Sequence, residues 1–168
     1  MRVNFFLNSE KVSLECSPLR SLLEIIRYDF RLRNTKEGCL KGECGSCLVF
    51  VDNLLINSCL KPAYQLEGKR VLTIEGFVKT KEYQDIEKAF LAKDLFSCSF
   101  CTPSLILATE SLLINRPEAT ASEIEEYLSG YLCHFSSSQN LLDAITLAAS
   151  QRRKRLGSTI VPRRRPGI

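Results

Sequence analysis

The sequence predicts an α+β protein in which a mixed α/β half precedes an all-helical half. Short alternating apolar segments dominate the first part, whereas from about residue 82 the apolar residues recur at helical spacing. The chain of 168 residues has no internal repeat, and its 45% apolar content is enough for one average domain or two small ones. We therefore expect domains over 1–77 and 82–155, followed by a basic tail over 156–168.

The first half opens with a predicted β-hairpin. Residues 3–7 and 11–16 have strand-like apolar patterns, and the turn-forming residues Asn8-Ser9-Glu10 separate them. A helix is predicted to start at Ser17-Pro18, since the next apolar residues follow near-helical spacing. That apolar face would consist of Leu19, Leu22, Leu23, Ile25 and Ile26.

A loop and three strands complete this half. Residues 34–47 contain three glycines and three cysteines without an apolar period, which indicates a loop. Strands are predicted at 48–51 and 54–56, around a turn, and at 70–74.

Four helices are predicted in the second half, at 83–93, 103–115, 121–129 and 139–154. Thr120 and Glu123 have the spacing of a capping box, in which the side chain of each residue accepts a hydrogen bond from the backbone N–H of the other.

Charge and composition restrict the class of protein. There are 23 basic and 19 acidic side chains, which give a net charge of +4. No apolar run approaches the ~20 residues of a membrane span, and the first residues are too polar for a signal peptide. We expect a cytoplasmic protein with no membrane span and no nucleic-acid partner. The basic residues 152–155 and 163–165 predict either a solvated tail or a segment that docks on an acidic partner.

The cysteines are the most informative residues. There are eight in the chain, and reducing cytoplasm favours metal binding or catalysis over disulfides. Cys39, Cys44, Cys47 and Cys59 have the spacing of a plant-type 2Fe–2S ferredoxin. Structural zinc and plain structural thiols are the alternatives, although zinc sites favour paired Cys-x2–4-Cys knuckles.

The residues around these cysteines suit a negatively charged cluster. Backbone N–H groups must point at the sulfurs, and Gly38, Gly42 and Gly45 give the loop the conformational freedom to do so. Lys36 and Lys41 can offset the charge.

Four segments together resemble one known family, the iron–sulfur subunit of the molybdenum hydroxylases, which includes xanthine dehydrogenase. Its GC-x-x-G-x-CG-x-C motif matches residues 38–47, and Asn-Ser-Cys-Leu is intact at 57–60. Its QCGFCTPG motif is similar to residues 97–104, and its LSGNLCRCTGYQ motif to residues 128–139.

The resemblance implies a β-grasp ferredoxin-like domain joined to a four-helix domain, each with a 2Fe–2S cluster. It further implies that electrons pass from a molybdenum-cofactor subunit, through the clusters, towards an FAD subunit. On this interpretation the chain is the electron-transfer subunit of an oxidoreductase and carries no substrate chemistry itself.

The chain departs from the family at the second cluster. Cys98, Cys101 and Cys133 match three of its cysteines, but Phe135 occupies the fourth position. The residue before the first of these cysteines is Ser97 instead of glutamine, and 136–138 are three serines.

Three explanations remain open for this departure. His134, the only histidine, could supply the missing ligand, as histidine does in Rieske clusters. A site with three cysteine ligands could be completed by water or another oxygen ligand, or could hold a different metal. The second cluster could also be lost.

These explanations leave alternative functions. The chain could be a divergent structural or regulatory subunit that keeps only the ferredoxin cluster. A free-standing ferredoxin is disfavoured by the positive net charge and by the retained helical half.

Overall fold

The protein is represented by a computed structural model, which describes residues 1–96, 98–131 and 138–157. The predicted α+β class is confirmed. Five strands and six α-helices occur in these ranges: β1 (Arg2–Leu7), β2 (Glu10–Glu15), α1 (Leu22–Glu24), β3 (Leu48–Val51), β4 (Leu54–Asn57), β5 (Arg70–Leu72), α2 (Ile74–Phe77), α3 (Lys81–Ala92), α4 (Thr102–Asn115), α5 (Ala121–Leu128) and α6 (Ser138–Leu156).

The five strands form one mixed sheet in the order β2-β1-β5-β3-β4. The predicted hairpin is present, with Phe5 paired to Val12, and β1 runs parallel to β5. Alternate residues of β1 are buried, because successive side chains of a strand point to opposite faces. One face of the sheet packs on α1 through a core that includes Val3, Phe5 and Leu22.

The predicted start of the first helix was wrong. The helix begins after Ser21, whose hydroxyl accepts from the Glu24 N–H at 3.2 Å while the Glu24 carboxylate accepts from the Ser21 N–H at 2.9 Å. Leu19 therefore lies outside the helix and is 79% exposed. After α1 the chain continues as a π-helical turn over Ile25–Asp29.

The predicted strand at 70–74 was too long. It ends at Leu72, and Ile74 begins the short helix α2. Thr73 forms the boundary because its N–H donates to the Asn8 side chain at 2.9 Å, instead of continuing the strand ladder.

The other face of the sheet packs on the helical half. Phe50 of β3, Ile74 and Phe77 belong to the same buried cluster as α3, α4, α5 and α6. The capping box of Thr120 and Glu123 at the start of α5 is confirmed. The two halves of the chain thus share this cluster, while the core between the sheet and α1 belongs to the first half alone.

The prediction of a solvated or docking basic tail was wrong for Arg152 and Arg155, which both belong to α6. Arg152 is 9% exposed, and it donates to Glu110 at 2.6 Å and to Asp85 at 3.4 Å. Arg155 donates to Asp85 at 2.8 Å. Since these acidic residues lie on α3 and α4, the arginines tie three helices together. The Arg163–165 part of the prediction lies outside the described residues.

Candidate metal centre

The predicted loop at 34–47 and the turn after β4 bring four cysteines to one end of the sheet. Cys47 directly precedes β3, and Cys59 lies in a 3-10 turn over Ser58–Leu60, directly after β4. The antiparallel pairing of Leu48 with Asn57 places these two cysteines side by side. All four cysteines are thiols and not disulfide halves.

Cys39 and Cys44 form the first pair. The Cys39 sulfur accepts from the backbone N–H groups of Lys41, Glu43 and Cys44 at 3.4, 3.3 and 3.4 Å. The Cys44 sulfur accepts from the Cys39 N–H at 3.4 Å. The N–H groups of Lys41 and Cys44 are the main reason that the pKa of Cys39 falls to about 6. Backbone donors therefore stabilise a thiolate here, which is the form that binds metal.

Cys47 and Cys59 form the second pair. Burial raises the pKa of Cys59 to about 11, and its hydrogen bond to Cys47 acts in the same direction. The Gly42 N–H donates to Cys59 and opposes this increase. The four thiols thus fall into two pairs with different surroundings. The pair of Cys39 and Cys44 accepts hydrogen bonds from several backbone N–H groups, whereas the pair of Cys47 and Cys59 is more buried.

The two-pair arrangement fits the donor set of a binuclear cluster, in which each iron takes two cysteine sulfurs. Among the described residues, no group of three or more His, Cys, Asp or Glu side chains is placed to hold a metal ion.

Two of the glycines in the loop adopt a backbone conformation that other residues avoid. Gly42 has φ +78° and Gly45 has φ +70°. Gly38 is required for space, because a Cβ there would lie 2.7 Å from the Cys44 sulfur. The loop can therefore fold its N–H groups inward only with small residues at these positions.

Three polar side chains near the cysteines were not identified from the sequence as contributors to the site. The Ser46 hydroxyl donates to the Cys44 sulfur at 3.3 Å, and the Asn57 amide donates to the Gly42 carbonyl at 3.1 Å. The Ser58 hydroxyl donates to the Cys47 carbonyl at 2.6 Å. Asn57 and Ser58 belong to the Asn-Ser-Cys-Leu motif, so that motif was the available signal.

Of the two predicted lysines, Lys41 contributes to the site through its backbone. Lys41 provides its backbone N–H to Cys39, and its side chain is exposed. Backbone N–H dipoles thus act directly on the Cys39 sulfur, and charge compensation by the Lys36 and Lys41 side chains stays a prediction.

The second cysteine constellation is described in part. The sulfurs of Cys98 and Cys101 lie 3.9 Å apart, just before α4. Two thiolates on one tetrahedral metal with bonds near 2.3 Å would lie about 3.8 Å apart, so this spacing suits two ligands of one metal ion. The Thr102 hydroxyl donates to the Cys98 carbonyl at 2.6 Å and fixes the turn between them. Cys133, His134 and Phe135 lie outside the described residues.

Comparison with known proteins agrees with the fold. Residues 5–72 match the family described as "2Fe-2S iron-sulfur cluster binding domain", and residues 73–146 match "[2Fe-2S] binding domain". No helix in the described ranges combines the length and apolar character needed to cross a membrane. Over residues 5–146 the chain thus consists of two domains of the iron–sulfur class.

Individual relatives define the family more closely. The nicotinate dehydrogenase small FeS subunit of Eubacterium barkeri is 35% identical over 131 residues, which cover 78% of this chain and 83% of that protein. A probable xanthine dehydrogenase subunit of Bacillus subtilis (strain 168) is 36% identical over 126 residues, with coverages of 75% and 72%. A chain of quinoline 2-oxidoreductase from Pseudomonas putida 86 superposes with a TM-score of 0.84 at 30% identity, over 95% of this chain and 98% of that one.

These matches establish the family. The chain belongs to the iron–sulfur subunits of the molybdenum hydroxylases, the family of xanthine dehydrogenase. The resemblance inferred from the sequence motifs is confirmed.

Proposed function

We propose that the chain is the electron-transfer subunit of a molybdenum hydroxylase complex, which passes electrons from a molybdenum-cofactor subunit towards an FAD subunit. The observation that carries this proposal is the arrangement of four cysteine thiols in two pairs, Cys39 with Cys44 and Cys47 with Cys59. Their spacing, their N–H donors and the glycine-dependent loop all suit a 2Fe–2S cluster.

In this proposal Cys39, Cys44, Cys47 and Cys59 are the ligands of the first cluster. A bound cluster supplies one-electron acceptance and release without bond chemistry. The chain's own residues hold it and set its charge environment. The N–H groups of Lys41, Glu43 and Cys44 stabilise negative charge on the Cys39 sulfur, and the Ser46 hydroxyl does so at Cys44.

We further propose a domain division at residues 77–82. The first domain, over 1–77, carries this cluster in a β-grasp, ferredoxin-like fold. The second, over 82–155, consists of the four helices α3–α6, and 156–168 form a basic tail. We also propose a cytoplasmic location, where cysteine thiols stay reduced and can act as metal ligands.

For the second site, we favour loss of the cluster. Cys98, Cys101 and Cys133 provide three thiolates, and Phe135 has no lone pair with which to complete four-sulfur coordination. Ligation by His134 and completion by a non-cysteine ligand are the competing outcomes. A chain with one cluster has an incomplete route to molybdenum, so the structural or regulatory subunit is the second candidate function.

Purification of the untagged chain from its native source tests the proposal of partner subunits. We expect it to elute on size exclusion in a complex whose peak contains molybdenum, flavin and iron together. A stable monomer with its iron but with neither molybdenum nor flavin would contradict the subunit assignment. If the complex forms, the rate at which substrate reduces its flavin separates electron transfer from a structural role.

A further inference from the structure

One tyrosine of the helical half rests directly on the ferredoxin loop. Tyr131 follows α5, and its N–H donates to the Leu128 carbonyl at 2.9 Å. Its ring packs on Gly45, where an added Cβ would lie 2.6 Å from Cδ1 and 3.1 Å from Cε1 of Tyr131. Gly45 is buried and directly follows Cys44. The ring therefore reaches the cysteine loop at a position where only glycine leaves room for it.

The ring is held in this position from its other side. Tyr131 is half-buried and packs against the core that the two halves share. Its ring centroid lies 5.8 Å from that of Tyr127, and the two rings are tilted by 41°. The motif LSGNLC of the family has asparagine at the position of Tyr131. This chain therefore departs from the motif at the residue that contacts Gly45.

We propose that Tyr131 is a positioning residue for the ferredoxin site: it covers the loop at Gly45 and excludes water there, which lowers the reduction potential of the cluster. The inference rests on the proposed function, since it presupposes a cluster in the loop. Reduction adds negative charge to the cluster, and water stabilises charge better than an aromatic ring does. Solvent exposure is one of the factors that set the potential of iron–sulfur clusters.

The test is a redox titration of the full-length chain followed by electron paramagnetic resonance, with dithionite as reductant. Tyr131→Ala should shift the reduction equilibrium about tenfold towards the reduced form, a change of about 59 mV for a one-electron couple. Tyr131→Phe retains the ring on Gly45 and should have the same reduction potential as the wild type. Tyr131→Leu fills part of the space and should give a smaller shift in the same direction, and it replaces Tyr131→Ala if that variant does not fold.

Tyr83→Ala is the matched control, because Tyr83 also packs at the edge of the shared core but contacts Phe77, with ring centroids 6.1 Å apart. It should lower thermal stability while leaving the potential unchanged. Equal potentials for wild type, Tyr131→Ala and Tyr131→Leu, each with full iron content, would overturn the inference and leave the proposed function intact. A wild-type chain without iron would instead overturn the proposed function.

Discussion

The two cysteine sites are built in different ways. In the first half, a loop provides sulfurs together with backbone donors, and Cys39 alone accepts three N–H groups. In the second half, Cys98 and Cys101 lie against the start of α4, whose position is fixed by a buried core and by the Arg152 ion pairs. The loop has few buried apolar side chains of its own, whereas the helices contribute to a large buried apolar core.

This difference would allow the second site to lose its cluster while the first is kept, as proposed above. Metal binding contributes folding free energy where the apo segment has few other contacts. A helical site with its own core can lose a ligand, such as the cysteine replaced by Phe135, without loss of its fold. The ferredoxin loop has no such alternative, and we expect every one of its four cysteines to be required.

The largest effects should come from paired cysteine variants. Cys44→Ser should abolish the visible charge-transfer absorption and lower thermal stability, because it removes one ligand and leaves the loop without its metal. Cys101→Ser should leave the absorption and the iron content unchanged if the second site is empty. Visible spectra and iron analysis of both variants measure the contrast. Full absorption in Cys44→Ser would refute the assignment of the loop.

Restoring the missing ligand should reverse the asymmetry between the sites. Phe135→Cys should gain about two irons on reconstitution and a second paramagnetic signal, since four cysteines would again be available. His134→Ala is the companion variant and should change nothing in the parent protein. Two signals in the wild type, one of which disappears in His134→Ala, would show that His134 is a ligand.

The ionic network should stabilise the helical half without affecting the metal. Burial raises the pKa of Glu110, and the neighbouring charge of Arg152 opposes this increase. Arg152→Met leaves that carboxylate without its buried partner and should cost about 3–5 kcal/mol in urea denaturation. Arg153→Met, on the exposed side of the same helix, should cost less than about 0.5 kcal/mol. Equal losses in the two variants would contradict the network.

The smallest effects should come from the two capping boxes, one in each half. Ser21→Ala and Thr120→Ala should each cost about 1 kcal/mol, because each hydroxyl accepts from a backbone N–H at a helix start. Bonds to Ser21 and to Thr120 hold the pKa of Glu24 and of Glu123 below their usual values. The contribution of Glu24 and Glu123 to the free energy of unfolding is therefore present above the ordinary pKa of glutamate. It is lost as the pH falls through the lowered pKa of the folded state. Denaturation at neutral and at acidic pH should show this loss in wild type; an unchanged contribution at low pH would contradict it.

Local signals in the sequence identified most of the architecture. The hairpin, the strands at Leu48–Val51 and Leu54–Asn57 and the four later helices were predicted from local apolar patterns and from the turn or helix-breaking residues between them. The start of α1 was missed although Ser21 and Glu24 have capping-box spacing, since Ser17-Pro18 is an equally plausible local start. The sequence alone could not decide between two caps.

The errors and omissions at longer range have a different cause. Arg152 was assigned to a tail because its partners, Asp85 and Glu110, are distant in sequence and only packing brings them together. The contact of Tyr131 with Gly45 likewise joins the two halves. For the site, spacing predicted the four cysteines that the fold brings together, but not their division into two pairs with different surroundings.

Iron and acid-labile sulfide analysis of the natively purified chain, combined with electron paramagnetic resonance after reduction, tests the central claim most directly. We predict about two irons and two sulfides per chain and a single signal that is absent from Cys44→Ser. About four irons with two signals would show that the helical site is loaded and would overturn the loss of its cluster. A chain that contains zinc and no iron would contradict the assignment of the ferredoxin loop itself.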